Sequence, residues 1–287
     1  MNERTLYQST VSVQAIEQTF KKAIRAGKQV YGTCITSTFP KSIEGVAGLN
    51  LDFVFIDTEH IPLDWNELGW MCRAYRGMGI TPIVRVSKAD PHEARRVLDT
   101  GASGVVAPYI ETAEEVMRLR GAVKLGPIKG AKLAAILGGF DPVDIELEDY
   151  IHKYNENNIM VIMIESVAGV RALDQILAVP DLDAVLIGPH DLSCNLGKPE
   201  QYDHPLFEEM LEEIITKARA KNIGVGIANL PDLEQDIKWV KAGANITLRL
   251  GDISLFHKAL REDLIKIRNG NSLGKRDLKL PGIPEIV

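Results

Sequence analysis

Four short stretches of this 287-residue chain hold side chains able to do chemistry: Asp57-Thr58-Glu59-His60, Ile83-Val84-Arg85-Val86, Ile164-Glu165-Ser166 and Gly188-Pro189-His190-Asp191. Each ends or interrupts an apolar run, where a charge is costly unless it is paired or bound to a ligand. If those runs are neighbouring strands of one sheet, Glu165 and Asp191 project from strands about 4.8 Å apart. Two carboxylates plus water suit a hard octahedral cation, Mg²⁺ or Mn²⁺, and leave positions open for a chelating substrate. The plain alternative is that both acids cap the helices that follow. Arg85 either pairs with a core acid or meets an oxyanion. His60, beside Glu59 and three residues after Asp57, is either a general base or a hydrogen-bonded loop residue.

Positioning such a set on one rim requires particular elements. Apolar runs at 30–35, 53–56, 82–86, 104–108, 159–164, 184–187, 223–228 and 246–250 read as strands covered on both faces. Amphipathic stretches at 63–76, 91–99, 113–123, 170–178, 205–220, 233–242 and 253–267 read as the helices between them. Eightfold strand–helix alternation at this length predicts an α/β chain folded as a single (β/α)8 TIM barrel, with an open doubly wound sheet as the alternative. In such a barrel the chemistry sits where strands lead into helices. An extra helix over 13–25 is placed to plug the bottom of the barrel. Residues 125–154 form the widest gap, with Lys129-Gly130 in a Gly-rich stretch, which marks a functional excursion or an interface. The tail over 269–287 has no periodicity and is expected to pack on the surface or on a partner subunit.

Composition narrows the class. With 45% hydrophobic and 25% charged residues a full core can form, and a net charge of −6 argues against a nucleic-acid partner. Cys34, Cys72 and Cys194 are widely spaced and odd in number, which speaks against a disulfide framework and for a reducing compartment. No apolar run approaches the ~20 residues needed to span a bilayer, and the first ten residues carry no signal core, so a cytoplasmic location is expected.

The stretches DFVFIDTEH, PIVRV, LDTGASGVVAPYIETAEE, MIES and IGPHDLSCNLG, in that order between Gly32 and Leu264, resemble the metal-dependent 2-oxo-acid aldolases of the 4-hydroxy-2-oxoheptanedioate aldolase type. The resemblance implies a barrel assembled as dimers that build a hexamer. It implies a carbon–carbon lyase that joins or cleaves a pyruvate-type 2-oxo acid and an aldehyde with a divalent cation, Mg²⁺ or Mn²⁺ first and Co²⁺ or Zn²⁺ next. It puts the metal on Glu165 and Asp191, the catalytic base on His60 and enolate stabilisation on Arg85. Asp99, reaching over from a neighbouring subunit, would raise the basicity of the His, with Asp57 a further acid close by. Backbone amides around His190 and Asp191 would hold the substrate carboxylate.

The chain departs from that family where substrate is touched. Met163 stands where a Gln is common, Cys34 where an aromatic often lines the pocket, and Lys129-Gly130 where an Arg-Gly pair is usual. Arg249 replaces a small apolar residue and is either a second carboxylate anchor or part of a core salt bridge. Other readings are citrate-synthase-like or other lyase chemistry on the same enolate platform, and a non-catalytic barrel that binds 2-oxo acids. A sugar-phosphate isomerase is disfavoured, because no Gly-rich phosphate cradle follows the seventh or eighth strand.

Overall fold

In the computed structural model, residues 13–140 and 143–270 are described, with side chains from Thr19 onward. Eight parallel strands close on themselves in sequence order, β1 pairing with β8. They are β1 (Val30–Ile35), β2 (Phe53–Asp57), β3 (Thr81–Arg85), β4 (Gly104–Ala107), β5 (Ile159–Ile164), β6 (Ala184–Ile187), β7 (Gly224–Ala228) and β8 (Ile246–Arg249). The helices are α1 (Val13–Arg25), α2 (Trp65–Gly77), α3 (Pro91–Thr100), α4 (Ala113–Lys124), α5 (Gly130–Leu137), α6 (Ile145–Asn155), α7 (Val167–Arg171), α8 (Leu173–Ile176), α9 (Pro189–Asn195), α10 (Pro205–Ala220), α11 (Leu233–Lys241) and α12 (Asp252–Gly270). The (β/α)8 barrel expected from alternation is therefore the fold, and the open sheet is excluded by the β1–β8 pairing.

Three local expectations need correction. The gap at 125–154 holds two helices, α5 and α6, where only an acidic helix-like stretch was foreseen. The flanking glycines Gly126, Gly138 and Gly139 hid α5, although Ala131–Leu137 is made of strong helix formers except for Ile136. The stretch at 170–178 is broken into α7 and α8, with Ala172 between them. The tail expected from 269 begins later, because α12 continues to Gly270; residues 271–287 lie outside the described residues.

The period of two along a strand sorts the core. Phe53, Phe55, Ile83, Val106, Val161, Met163, Ala184, Leu186, Ile246 and Leu248 fill the barrel interior, while the alternate residues pack outward against the helices. α1 closes the bottom as expected: Phe20 and Ile24 are buried in the interior cluster, and the Phe20 ring lies 5.4 Å from that of Phe53. Gly32 makes room there, since a Cβ on it would meet the Phe53 ring at 2.5 Å.

The same end of the barrel is tied by a buried ionic knot. Asp183, fully buried, accepts from the Met160 backbone N–H at 2.8 Å, from Arg25 Nε at 2.8 Å and from the Lys124 ammonium. Lys124 also donates to the Asn158 carbonyl, so α1, α4, β5 and β6 meet at one carboxylate. Burial alone would push Asp183 towards its neutral form, and the surrounding cations instead hold its pKa below the usual carboxylate range. Asp183→Ala strands a buried ammonium, and denaturant unfolding should show a loss of about 3 kcal/mol or more. A loss under about 1 kcal/mol would mean that the knot contributes nothing to stability.

Candidate active site

The inward series of each strand runs on past the hydrophobic core to the C-terminal rim. Phe53–Phe55 leads to Asp57, Ile83 to Arg85 and Val161–Met163 to Glu165, each step two residues on the same face. Ala184–Leu186 leads to Gly188, and β1 brings Cys34 and then Thr36. These residues line a cavity of about 340 Å³ together with His190, Asp191, Ala228 and Leu250. The spacing of the catalytic candidates is thus the spacing of the core, continued one step beyond it.

Arg85 and Asp57 are direct register partners across β2 and β3. Both carboxylate oxygens are engaged: Arg85 Nε donates to Oδ1 at 2.9 Å and Nη2 to Oδ2 at 2.6 Å. Nη1 lies 3.2 Å from Glu59 Oε2, and the guanidinium sits 5.4 Å from the centre of the Phe55 ring. Burial disfavours its charge, but Asp57, Glu59 and Glu165 more than compensate and raise its pKa further. Sequence had offered a core ion pair or the site; Arg85 is both paired and in the cavity wall. Asp57 is correspondingly committed to Arg85, and its Oδ1 also accepts from the Glu59 backbone N–H at 2.9 Å.

Glu165 is buried, and its Oε2 accepts from the backbone N–H of Tyr109 at 2.7 Å. It does not cap the next helix: that place belongs to Ser166, whose Oγ accepts from the Gly169 N–H. Asp191 sits in the first turn of α9, whose N-cap Gly188 offers no side chain. A Cβ on Gly188 would stand 2.3 Å from Glu165 Oε1, so the glycine is what admits the carboxylate between β5 and β6. Burial raises the Glu165 pKa to about 7; the Tyr109 N–H and Arg85 oppose the shift, while Asp191 and Glu59 add to it. Burial likewise raises Glu59, with Arg85 the main opposing influence.

A buried carboxyl repelled by a neighbouring acid fits a cation, which would reverse both penalties. Glu165 and Asp191, which both line the cavity, could hold one. Among the described residues no set of three His, Cys, Asp or Glu side chains converges, so the remaining positions would fall to water and substrate.

Other candidates lie apart. His60 is half-exposed at the rim, with Nε2 3.8 Å from Glu59 Oε2, and it is not among the cavity-lining residues. Asp99 is on the outer helix α3, ion-paired with Arg95 at 2.9 Å, and borders a second cavity with Lys129 and Gly130. Within one chain neither Asp99 nor Lys129-Gly130 reaches the first cavity. Met163 lines the floor, its sulfur 3.9 Å from Arg85 Nη1, and His190 approaches Cys194 Sγ at 4.0 Å. Arg249 points outward into an ion pair with Asp236 and donates to the Leu230 carbonyl at 2.8 Å, so of its two readings the core salt bridge is the one formed. Sequence reasoning missed Thr36, Ala228 and Leu250, though continuing the period of two from each strand would have found them.

Glu165 titrates near pH 7 in the cation-free fold and at about 4.3 in an unfolded chain. The fold therefore binds this proton more tightly, and the stability it contributes is full below about pH 4 and is lost as pH rises through 7. In chelator-treated protein, Glu165→Gln should be more stable than the parent above pH 8, by about 3 to 4 kcal/mol, with the gap vanishing near pH 4. Denaturation midpoints across that range test it, and a gap that does not change with pH would refute it.

Residues 31–251 match the family described as HpcH/HpaI aldolase/citrate lyase. A hydroxypyruvate/pyruvate aldolase of Roseovarius nubinhibens is 31% identical over 254 residues, covering 87% of this chain and 96% of the relative. A 2-keto-3-deoxy-L-rhamnonate aldolase of Escherichia coli K12 is 30% identical over 260 residues, 88% and 94% of the two chains. The crystal structure of an HpcH/HpaI aldolase from Desulfitobacterium hafniense DCB-2 superimposes with a TM-score of 0.76 at 27% identity, covering 88% of this chain and 98% of that one. On the match over 31–251, this chain is a member of the HpcH/HpaI aldolase/citrate lyase family.

Proposed function

We propose that the protein is a divalent-metal-dependent aldolase that makes or breaks a carbon–carbon bond between a pyruvate-type 2-oxo acid and an aldehyde. The observation that carries this reading is the buried Glu165 beside Asp191, facing the clamped guanidinium of Arg85. Glu165 and Asp191 hold Mg²⁺ or Mn²⁺, which when bound polarises the 2-oxo group. The backbone N–H groups at the start of α9, around His190 and Asp191, take the substrate carboxylate. Arg85 donates to the oxygen that becomes negative in the enolate, and Asp57 fixes its plane so that little reorganisation is needed. His60 moves the proton of the 4-hydroxyl, and Asp99 of a second copy raises its basicity.

A homo-oligomer is part of this reading, and α12 supports it. Strands β2 to β7 are buried at every position, whereas Tyr31 on β1 is 53% exposed and β8 is only alternately buried. α12, which should cover that wall, has no buried residue and leaves Ile253, Phe256, Leu260, Leu264 and Ile267 exposed at helical spacing. Each copy thus has an open wall and an unpacked helix of matching kind, as expected if copies exchange α12. Phe256→Glu with Leu260→Glu should lower the mass measured by light scattering to that of one chain; an unchanged mass would remove this support.

The reaction is tested by loss of the pyruvate methyl proton signal in D₂O. Exchange is expected with added Mg²⁺, Mn²⁺ or Co²⁺, absent after chelation and absent in Glu165→Ala, and slowed about 10²- to 10³-fold in Arg85→Ala. No exchange with any of these metals would count against an enolate-forming enzyme. Pyruvate binding without exchange would favour a 2-oxo-acid-binding barrel instead.

A further inference from the structure

We infer that Glu59 is a positioning residue of the reaction, whose carboxylate joins Arg85 to His60 and supports the proton transfer made by His60; this rests on the enolate reading above. Both oxygens of Asp57 are taken by the Arg85 guanidinium. The acid that meets His60 within the chain is Glu59. Its Oε2 lies 3.2 Å from Arg85 Nη1 and 3.8 Å from His60 Nε2. One carboxylate oxygen thus faces the guanidinium and the imidazole at once. The longer of the two distances is a contact between charges, beyond the reach of a direct hydrogen bond.

The backbone fixes this placement. Thr58 donates twice to the Arg85 carbonyl, from its N–H at 3.1 Å and from Oγ1 at 2.6 Å. The Glu59 N–H donates to Asp57 Oδ1 at 2.9 Å. The loop after β2 is therefore tied to the β2–β3 edge residue by residue as far as Glu59, and His60 comes next. Burial works against the Glu59 charge and raises its pKa, Arg85 and then His60 oppose that shift, and Asp57 and Asp191 add to it. Asp99 of a second copy would reach His60 from outside the chain. Glu59 belongs to the same loop as His60 and faces it whatever a partner adds.

In cleavage, the 4-hydroxyl proton passes to His60 and the C3–C4 bond breaks. Its electron pair moves to the 2-oxo oxygen beside Arg85, and C4 keeps its own oxygen as the aldehyde carbonyl. Addition is the reverse, so neither direction needs an oxidant or reductant. Positive charge appears on His60 in this step, and the Glu59 carboxylate stabilises it there. Its ion pair with Arg85 keeps that carboxylate from turning out to solvent.

The Mg²⁺-loaded full chain is first assayed for addition of pyruvate to acetaldehyde, glycolaldehyde and succinic semialdehyde, and the fastest aldehyde is used for the variants. Glu59→Gln, which keeps the size and removes the charge, should lower kcat about tenfold and leave KM for pyruvate within about twofold. With His60→Asn already present, adding Glu59→Gln should cost less than about twofold. Asp57→Asn, which acts through Arg85, should cost as much beside His60→Asn as it does in the parent. An equal loss from Glu59→Gln in both backgrounds, or a loss that falls on KM, would overturn the role of Glu59, and pyruvate proton exchange in the parent would still uphold the enolate reading. Exchange without addition to any of these aldehydes would remove the proton transfer by His60, and the support by Glu59 with it. Absence of exchange would sink the enolate reading itself.

Discussion

A guanidinium cut off from water survives only among carboxylates, and Arg85 stands at the centre of such an arrangement. Its bidentate pairing with Asp57 is a consequence of register, since the two residues are opposite one another on adjacent parallel strands. Glu59 takes up a third N–H group, and Glu165 lies close enough to feel the charge. Placing one cation among three acids leaves an excess of negative potential at the rim. That excess raises Glu165 together with burial, and it fits a site for a divalent ion.

The ionic excess at the top and the knot at the bottom divide the barrel's labour. Asp183 is surrounded by Arg25 and Lys124, with a backbone N–H as well, and its burial is offset by nearby positive charge. Glu165 has one backbone N–H and a guanidinium already paired with Asp57, and its burial is not offset. Two buried carboxylates in one fold thus lie on opposite sides of their ordinary pKa. The first has the surroundings of a structural anchor, the second those of a ligand site.

Small residues matter at this rim as much as charged ones. Gly188 has no catalytic group, yet a methyl group there would occupy the place of Glu165 Oε1. Ala228 and Cys34 leave free the volume that larger side chains would fill. In a barrel whose interior is one continuous inward face, the last core layer and the first layer of the site are adjacent positions on the same strands, and a change of one shifts the other.

The sequence by itself determined the strands, the closed barrel suggested by eightfold alternation, and the identity of the charged rim. Periodicity and the cost of charge inside apolar runs are local properties, legible without coordinates. It also located Glu165, Asp191 and Arg85 correctly on one end, because parallel strands all finish there. What it left open were questions of pairing and direction. Whether Arg85 pairs with Asp57 or is left free to meet an oxyanion depends on register between residues 28 apart in the chain; whether Arg249 faces the cavity or Asp236 depends on which side of β8 its place in the alternation falls. The outward position of Asp99 and the unpacked face of α12 likewise emerge only once the wall of the barrel is closed. Composition and spacing fix which groups are available, but only the tertiary structure decides which of them are already taken by one another and which are left to meet a ligand.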